Sequence, residues 1–163
     1  MDTLIDDNLL CLQRAVEIIA RLSPADYTKP CATADNSTAA DHLRLITDHY
    51  QAFLIGIGSG AIDYSTAERD PQLESDPLYA AAVMRGIIMG LEQFEEHLYT
   101  QELRIKKDAG DTGEWRTSTP HHELHLLLAH ANHHFAIIAT LLHANTGTPL
   151  PRQVDVAPDS HSE

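Results

Sequence analysis

Histidine is the residue whose placement in this sequence points most directly to chemistry. Of eleven histidines, seven lie in one stretch: His121, His122, His125, His130, His133, His134 and His143. The run LLLAHANHHFAIIATLL sets His130 and His134 four residues apart. On a helix both imidazoles then project from nearly one face and can meet a single ion. His121, His122 and His125 sit in more polar company, where solvated side chains are expected. A second stretch, DHLRLITDHY, holds His42 and His49 seven residues apart. That spacing shares a helix face but separates the two by about 10 Å along the axis, so they do not meet the same ion. His49 stands at the edge of an apolar stripe beside Ile46 and Phe53, with Ala52 and Gly56 leaving room. His42 lies nearer the exposed start. The candidate metal set is therefore His49, His130 and His134.

Several imidazoles in an apolar core need polar partners, and one cation satisfies them together. Three neutral imidazoles suit Zn²⁺, Ni²⁺ or Fe²⁺ rather than Mg²⁺ or Ca²⁺. Three protein ligands also leave positions for water or substrate, which is the catalytic pattern. The competing expectation is that these histidines are hydrogen-bonded core residues, since an HxxxH pair arises readily in so histidine-rich a helix. Cys11 and Cys31 show no CxxC spacing and read as free thiols of a reducing compartment. Neither has the companion base or helix N-terminus of a nucleophile.

Four segments carry the helical periodicity that would position these residues. The first spans residues 3–22, with Leu4, Ile5, Leu9, Leu12, Val16 and Ile19 in phase and Ser23-Pro24 as its stop. After a polar stretch at residues 27–36, Ser37 or Thr38 caps the second, and Asp41 faces the positive end of its dipole. Its stripe is Leu43, Ile46, Tyr50, Phe53, Leu54 and Ile57, and Gly56, Gly58 and Gly60 mark its end. The link over residues 58–76 exceeds the usual bundle loop of about 2–8 residues and is long enough to cross the end of a bundle. Asp76-Pro77 opens the third segment, which runs through Met84, Ile87, Ile88, Leu91 and Phe94 to about His97. Alternation in TQELRIK and EWRTS around DAGDTG predicts a small hairpin. Thr119-Pro120 opens the fourth segment, ending near Asn145 with Gly147 behind it. The tail, residues 148–163, holds three prolines and reads as extended. The expected architecture is a single all-α domain, a four-helix bundle. The fourth helix is apolar on more than one face, with Ile137 and Leu141 widening the stripe, and this favours a homodimer or a central position in the monomer.

The chain has 163 residues, 11 basic against 24 acidic, for a formal charge of −13 with histidine neutral. So negative a surface repels phosphate backbones and anionic lipid, so neither nucleic acid nor membrane is an expected partner. The longest near-continuous apolar run, residues 135–142, falls well short of the about 20 residues that span a bilayer. The acidic start, MDTLIDDNLL, lacks the positive n-region of an export signal, and a cytoplasmic setting is expected.

In order, the segments DHLRLITDHY, AIDYSTAERDPQLESDP, ELHLLLAHANHHFAIIA and LPRQVDVAP resemble a bacterial branch of the DinB-like superfamily, over roughly residues 37–158. HANHHFAII together with TDHY is the most specific part. The resemblance implies a four-helix bundle with a long crossover between helices two and three, commonly a dimer. It also implies a divalent metal, often nickel or zinc, on one histidine of helix two and two of helix four. By position these are His49, His130 and His134. The chain departs from the branch at Leu45, where a second histidine is usual, and at Ala67, where a basic residue is. His122 stands before Glu123 in place of an arginine, and the closing motif reads Ala157-Pro158-Asp159-Ser160. Relatives in the superfamily include thiol transferases and proteins described as metal-dependent hydrolases. The leading expectation is thus an enzyme acting on a small molecule, with Glu123 or a neighbouring histidine moving a proton. The alternatives are a non-catalytic metal- or ligand-binding dimer and a helical module whose histidines are only packed.

Overall fold

The computed structural model describes residues 3–65, 68–107, 114–147 and 149. Four long helices dominate: α1 (Thr3–Ile19), α3 (Ala39–Ile57), α4 (Pro77–Glu92) and α5 (Pro120–Thr146), with a one-turn α2 (Pro24–Tyr27) between the first two. Helix α1 packs on α4 and α5, and α3 likewise packs on α4 and α5. One apolar core fills the space between them, with Leu12, Ile19, Leu43, Ile46, Phe53, Met84, Leu91 and Leu124 fully buried. A buried polar knot ties three of the helices. Asn8 donates to the carbonyls of Leu4 and Leu124 and accepts the Tyr50 hydroxyl at 2.6 Å. Among the described residues no helix is long and apolar enough to cross a membrane.

The helix starts follow local chemistry. Thr38 and Asp41 form a reciprocal capping box on α3, each side chain taking the other's backbone N–H at 3.0 Å, so Thr38 is the cap. Asp76 caps α4 by accepting from Leu78 and Tyr79 N–H, with Pro77 at the first position. Thr119 caps α5, and Gly147 closes it in the left-handed region at φ 76°. Two helix ends differ from expectation. Helix α1 stops at Ile19, where Arg21 and Leu22 N–H turn to carbonyls three residues back. Ser23 then starts α2 as its cap. That single turn buries Tyr27 completely, and its hydroxyl donates to Leu73 O at 2.7 Å, pinning the crossover. Helix α4 ends at Glu92 rather than near His97. Phe94 there turns inward to meet Phe53 and Tyr99, at ring centroids of 6.2 and 5.3 Å.

The hairpin is present as β2 (Leu103–Lys106) and β3 (Trp115–Ser118), paired antiparallel with Leu103 opposite Ser118. The DAGDTG turn at 108–113 and nearly all of the tail lie outside the described residues. The crossover also contributes a strand that periodicity does not reveal. β1 (Ala61–Asp63) pairs in parallel with β2, Ile62 opposite Ile105, making a three-stranded sheet in the order β1-β2-β3. The fold is therefore mostly helical with a small sheet, rather than all-α. The breadth of α5's apolar surface has a cause within one chain, because α5 touches α1, α2, α3 and the 3₁₀ turn at Ala32–Ala34. Leu141 is buried there and Ile137 is half-buried.

Helix α3 must let β1 return close over its last turn. A Cβ added at Gly56 would lie 2.5 Å from Ala61 O and 2.8 Å from Ile62. Backbone cannot yield as a flexible side chain can, so Gly56→Ala should destabilise the fold by about 1–3 kcal/mol. Urea unfolding checks this, and an unchanged midpoint would mean the strand does not sit against the helix.

Candidate metal centre

The histidines converge where α3 meets α5. The rings of His49 and His130 lie with centroids 4.1 Å apart, and His130 and His134, one turn apart on α5, at 4.5 Å. His42, earlier on α3, meets His134 with centroids at 5.2 Å and the two Nδ1 atoms at 2.9 Å. The two helices thus run in opposite directions past one another. The cluster is a file, His49–His130–His134–His42, with exposed His133 beside His134 at 5.0 Å. The three expected ligands are brought together, although His49 and His130 stand tilted at 33°, His130 and His134 edge-on at 64°, and His134 is bonded to His42. In that setting no three His, Cys, Asp or Glu side chains among the described residues are placed to hold one ion.

The donor chemistry nonetheless suits a cation. His49 Nδ1 lies 2.9 Å from Leu45 O. A carbonyl only accepts, so that nitrogen carries the proton and Nε2 keeps its lone pair. This is the second contact typical of ligating histidines. His130 Nδ1 is buried with no hydrogen-bond partner among the described residues, a state that costs free energy unless something satisfies the atom. Burial, reinforced by the neighbouring imidazoles, pushes His130 and His134 down to about 4. Burial also lowers His42. His42, His130 and His134 are therefore neutral at pH 7, the form in which imidazole binds metals.

A cavity of about 270 Å³ opens beside the cluster, lined by His49, Tyr64, Ile105, Glu123, Leu127 and His130. Its polar wall is a second network. Glu123 is buried and accepts the Tyr64 hydroxyl on Oε1 at 2.7 Å and the Ser118 hydroxyl on Oε2 at 2.6 Å. The Tyr64 ring stacks on His49 at 5.4 Å with a 26° interplanar angle. Burial and the adjacent carboxylate hold its phenol protonated far above the usual range. The small sheet sets these groups. Tyr64 N–H bonds to Lys106 O just after β1, and Ser118 ends β3. Sequence reasoning singled out Glu123 but not Tyr64, 59 positions away, nor Ser118, five residues before it at the end of a strand. His42 it placed near the exposed start of its helix, whereas the residue is half-buried and bonded to His134. The face shared with His49 was the available signal.

His121, His122 and His125 are exposed, as expected. Cys11 and Cys31 are free and buried, and neither lines the cavity. Burial pushes the Cys11 thiol up to about 12, whereas the Thr33 hydroxyl beside Cys31 holds that thiol below the usual range. No family model, curated protein or solved structure matches the chain.

The depressed histidine values make stability depend on pH. Between about 6.5 and 4 the unfolded chain binds protons that folded His130 and His134 do not. Protonation therefore favours unfolding, and stability falls as pH drops through that window. For metal-stripped protein, the urea midpoint should decline from pH 7 to 4.5. The combined His130→Gln, His134→Gln variant should show a shallower decline, and an equal slope in both would contradict the neutral cluster.

Proposed function

We propose that the chain is a DinB-like four-helix bundle in which His49, His130 and His134 hold a divalent ion. Zinc and nickel suit these ligands best, and Fe²⁺ also fits. We read the protein as a metal-dependent enzyme that transfers a low-molecular-weight thiol to an electrophile or hydrolyses a small substrate. The observation carrying this reading is the buried Nδ1 of His130, without a partner among the described residues, beside a cavity sized for a small molecule. A divalent cation bound there supplies Lewis acidity, which lowers the pKa of a water or thiol toward neutrality.

The chain's own residues do the rest. Leu45 O orients His49, and Tyr64 supports the other side of that ring. Glu123 holds Tyr64 in place and keeps a carboxylate at the cavity wall, where a proton can be received. Ile105 and Leu127 give the inner surface apolar walls, and exposed Leu126 and Lys107 complete the lining with an apolar and a cationic contact for a substrate. The proposal includes a cytoplasmic setting, where Cys11 and Cys31 stay reduced, and a homodimer. For the latter the exposed apolar side chains Leu78 and Met89 on α4 offer contact surface.

One observation favours a second reading. The His42–His134 hydrogen bond shows that the imidazoles can satisfy one another without an ion. The protein would then be a non-catalytic ligand-binding or packing module. Elemental mass spectrometry on untagged protein separates the two. Near-stoichiometric zinc, nickel or iron in the parent, lost in His49→Ala and His134→Ala, is expected. A parent that is metal-free and takes up neither Ni²⁺ nor Zn²⁺ would sink the metal reading.

A further inference from the structure

Outside the proposed ligands, a chain of hydrogen bonds leads from the loop before α3 into the histidine cluster. Ser37 Oγ lies 2.6 Å from Ala34 O and 2.9 Å from His42 Nε2. A serine hydroxyl has one proton, and a carbonyl can only accept. The proton therefore goes to Ala34 O, and Ser37 presents a lone pair to His42. It follows that His42 Nε2 carries the ring's proton. A neutral imidazole has one N–H, so His42 Nδ1 is bare and can only accept. The atom facing it at 2.9 Å is His134 Nδ1, which must be the donor. His134 is thereby held with its proton on Nδ1 and its lone pair on Nε2. A free histidine side chain favours the opposite tautomer, so the arrangement is imposed by the fold.

The loop is built to deliver this. Asp35 and Asn36 adopt left-handed backbone at φ 54° and 60°, which these two residue types tolerate better than most. They fold the chain around the Cys31–Ser37 bridge, with Asn36 and Ala34 N–H both bonded to Cys31 O. Ser37 then sits where it meets Ala34 O and His42 at once. At the other end of the cluster, His49 has the same tautomer for a different reason, its Nδ1–H being given to Leu45 O. The two outer members of the proposed triad thus keep the same ring nitrogen, Nε2, for a ligand.

We propose that Ser37 and His42 are positioning residues, which lock His134 in its Nδ1–H tautomer and so present its Nε2 to a divalent cation. The cation rests on the function proposed above; the tautomer does not. The first readout is nitrogen-15 NMR of metal-stripped protein at pH 7, using long-range proton–nitrogen correlations to show which ring nitrogen of His134 is protonated. The parent should show Nδ1–H. Ser37→Ala and His42→Ala should move His134 toward Nε2–H. His42→Asn, whose side-chain oxygen takes the place of Nδ1, should restore the parent pattern. The second readout is Zn²⁺ affinity by chelator competition. It should fall about 10- to 100-fold in both alanine variants and recover in His42→Asn. His134 protonated on Nε2 in the parent, or on Nδ1 in every folded variant, would overturn the lock. A switched tautomer with unchanged Zn²⁺ affinity would overturn its role toward the ion. A parent that binds no Zn²⁺ refutes the metal centre, and the NMR result then decides the lock on its own. Amide spectra identify any variant that fails to fold, and Ser37→Ala, which leaves the Thr38 cap in place, is the gentlest of the three.

Discussion

The placement of four imidazole rings between two apolar helix faces constrains everything around it. A neutral imidazole removed from water still has one donor and one acceptor to satisfy, and failure at either costs free energy comparable to a lost hydrogen bond. The structure meets this demand piecemeal. His49 gives its proton to Leu45 O, His42 and His134 join through their Nδ1 atoms, and Ser37 serves the far side of His42. His130 Nδ1 is a buried ring nitrogen left without a partner among the described residues. Because the pairs must meet in the order His49 with His130 and His42 with His134, they also set how α3 and α5 pass each other.

The small sheet gains its meaning from the same site. Its strands have three, four and four residues, too few to make an independent sheet. Packed against the helical core through buried Ile62, Leu103 and Ile105, they bring Tyr64 and Ser118 to opposite oxygens of Glu123. A buried carboxylate is tolerable when hydroxyl donors solvate both oxygens. The aromatic ring that solvates one of them also backs His49. The two polar networks are therefore in contact, and the cavity lies where they join. Gly56 and the Tyr27–Leu73 bond hold the crossover to this course, one by close approach and the other by a buried hydrogen bond.

Much of the helical framework was legible because its signals act over a single turn. Thr38 with Asp41, Asp76-Pro77, Thr119-Pro120 and Gly147 each satisfy backbone groups within four residues, and each marks the boundary found. The ends of α1 and α4 were less legible. They depend on where Tyr27 is buried and where half-buried Phe94 meets Phe53, and those seats are made by distant residues. For the same reason the hairpin could be read from its alternation, while β1 could not. Three residues have no period of their own, and their partner strand begins forty residues later.

By itself the sequence determined the starts of the long helices, the burial of their stripes and the shared face of His130 and His134. These follow from periodicity and capping, which need no knowledge of the rest of the chain. Tertiary structure decided which rings touch. The bond from His42 to His134 spans 92 positions and that from Tyr64 to Glu123 spans 59, and no local pattern encodes either. It also decided which ring nitrogen of His49 and of His134 is left for a ligand. A tautomer depends on the partner across the interface, and that partner exists only once the helices have packed.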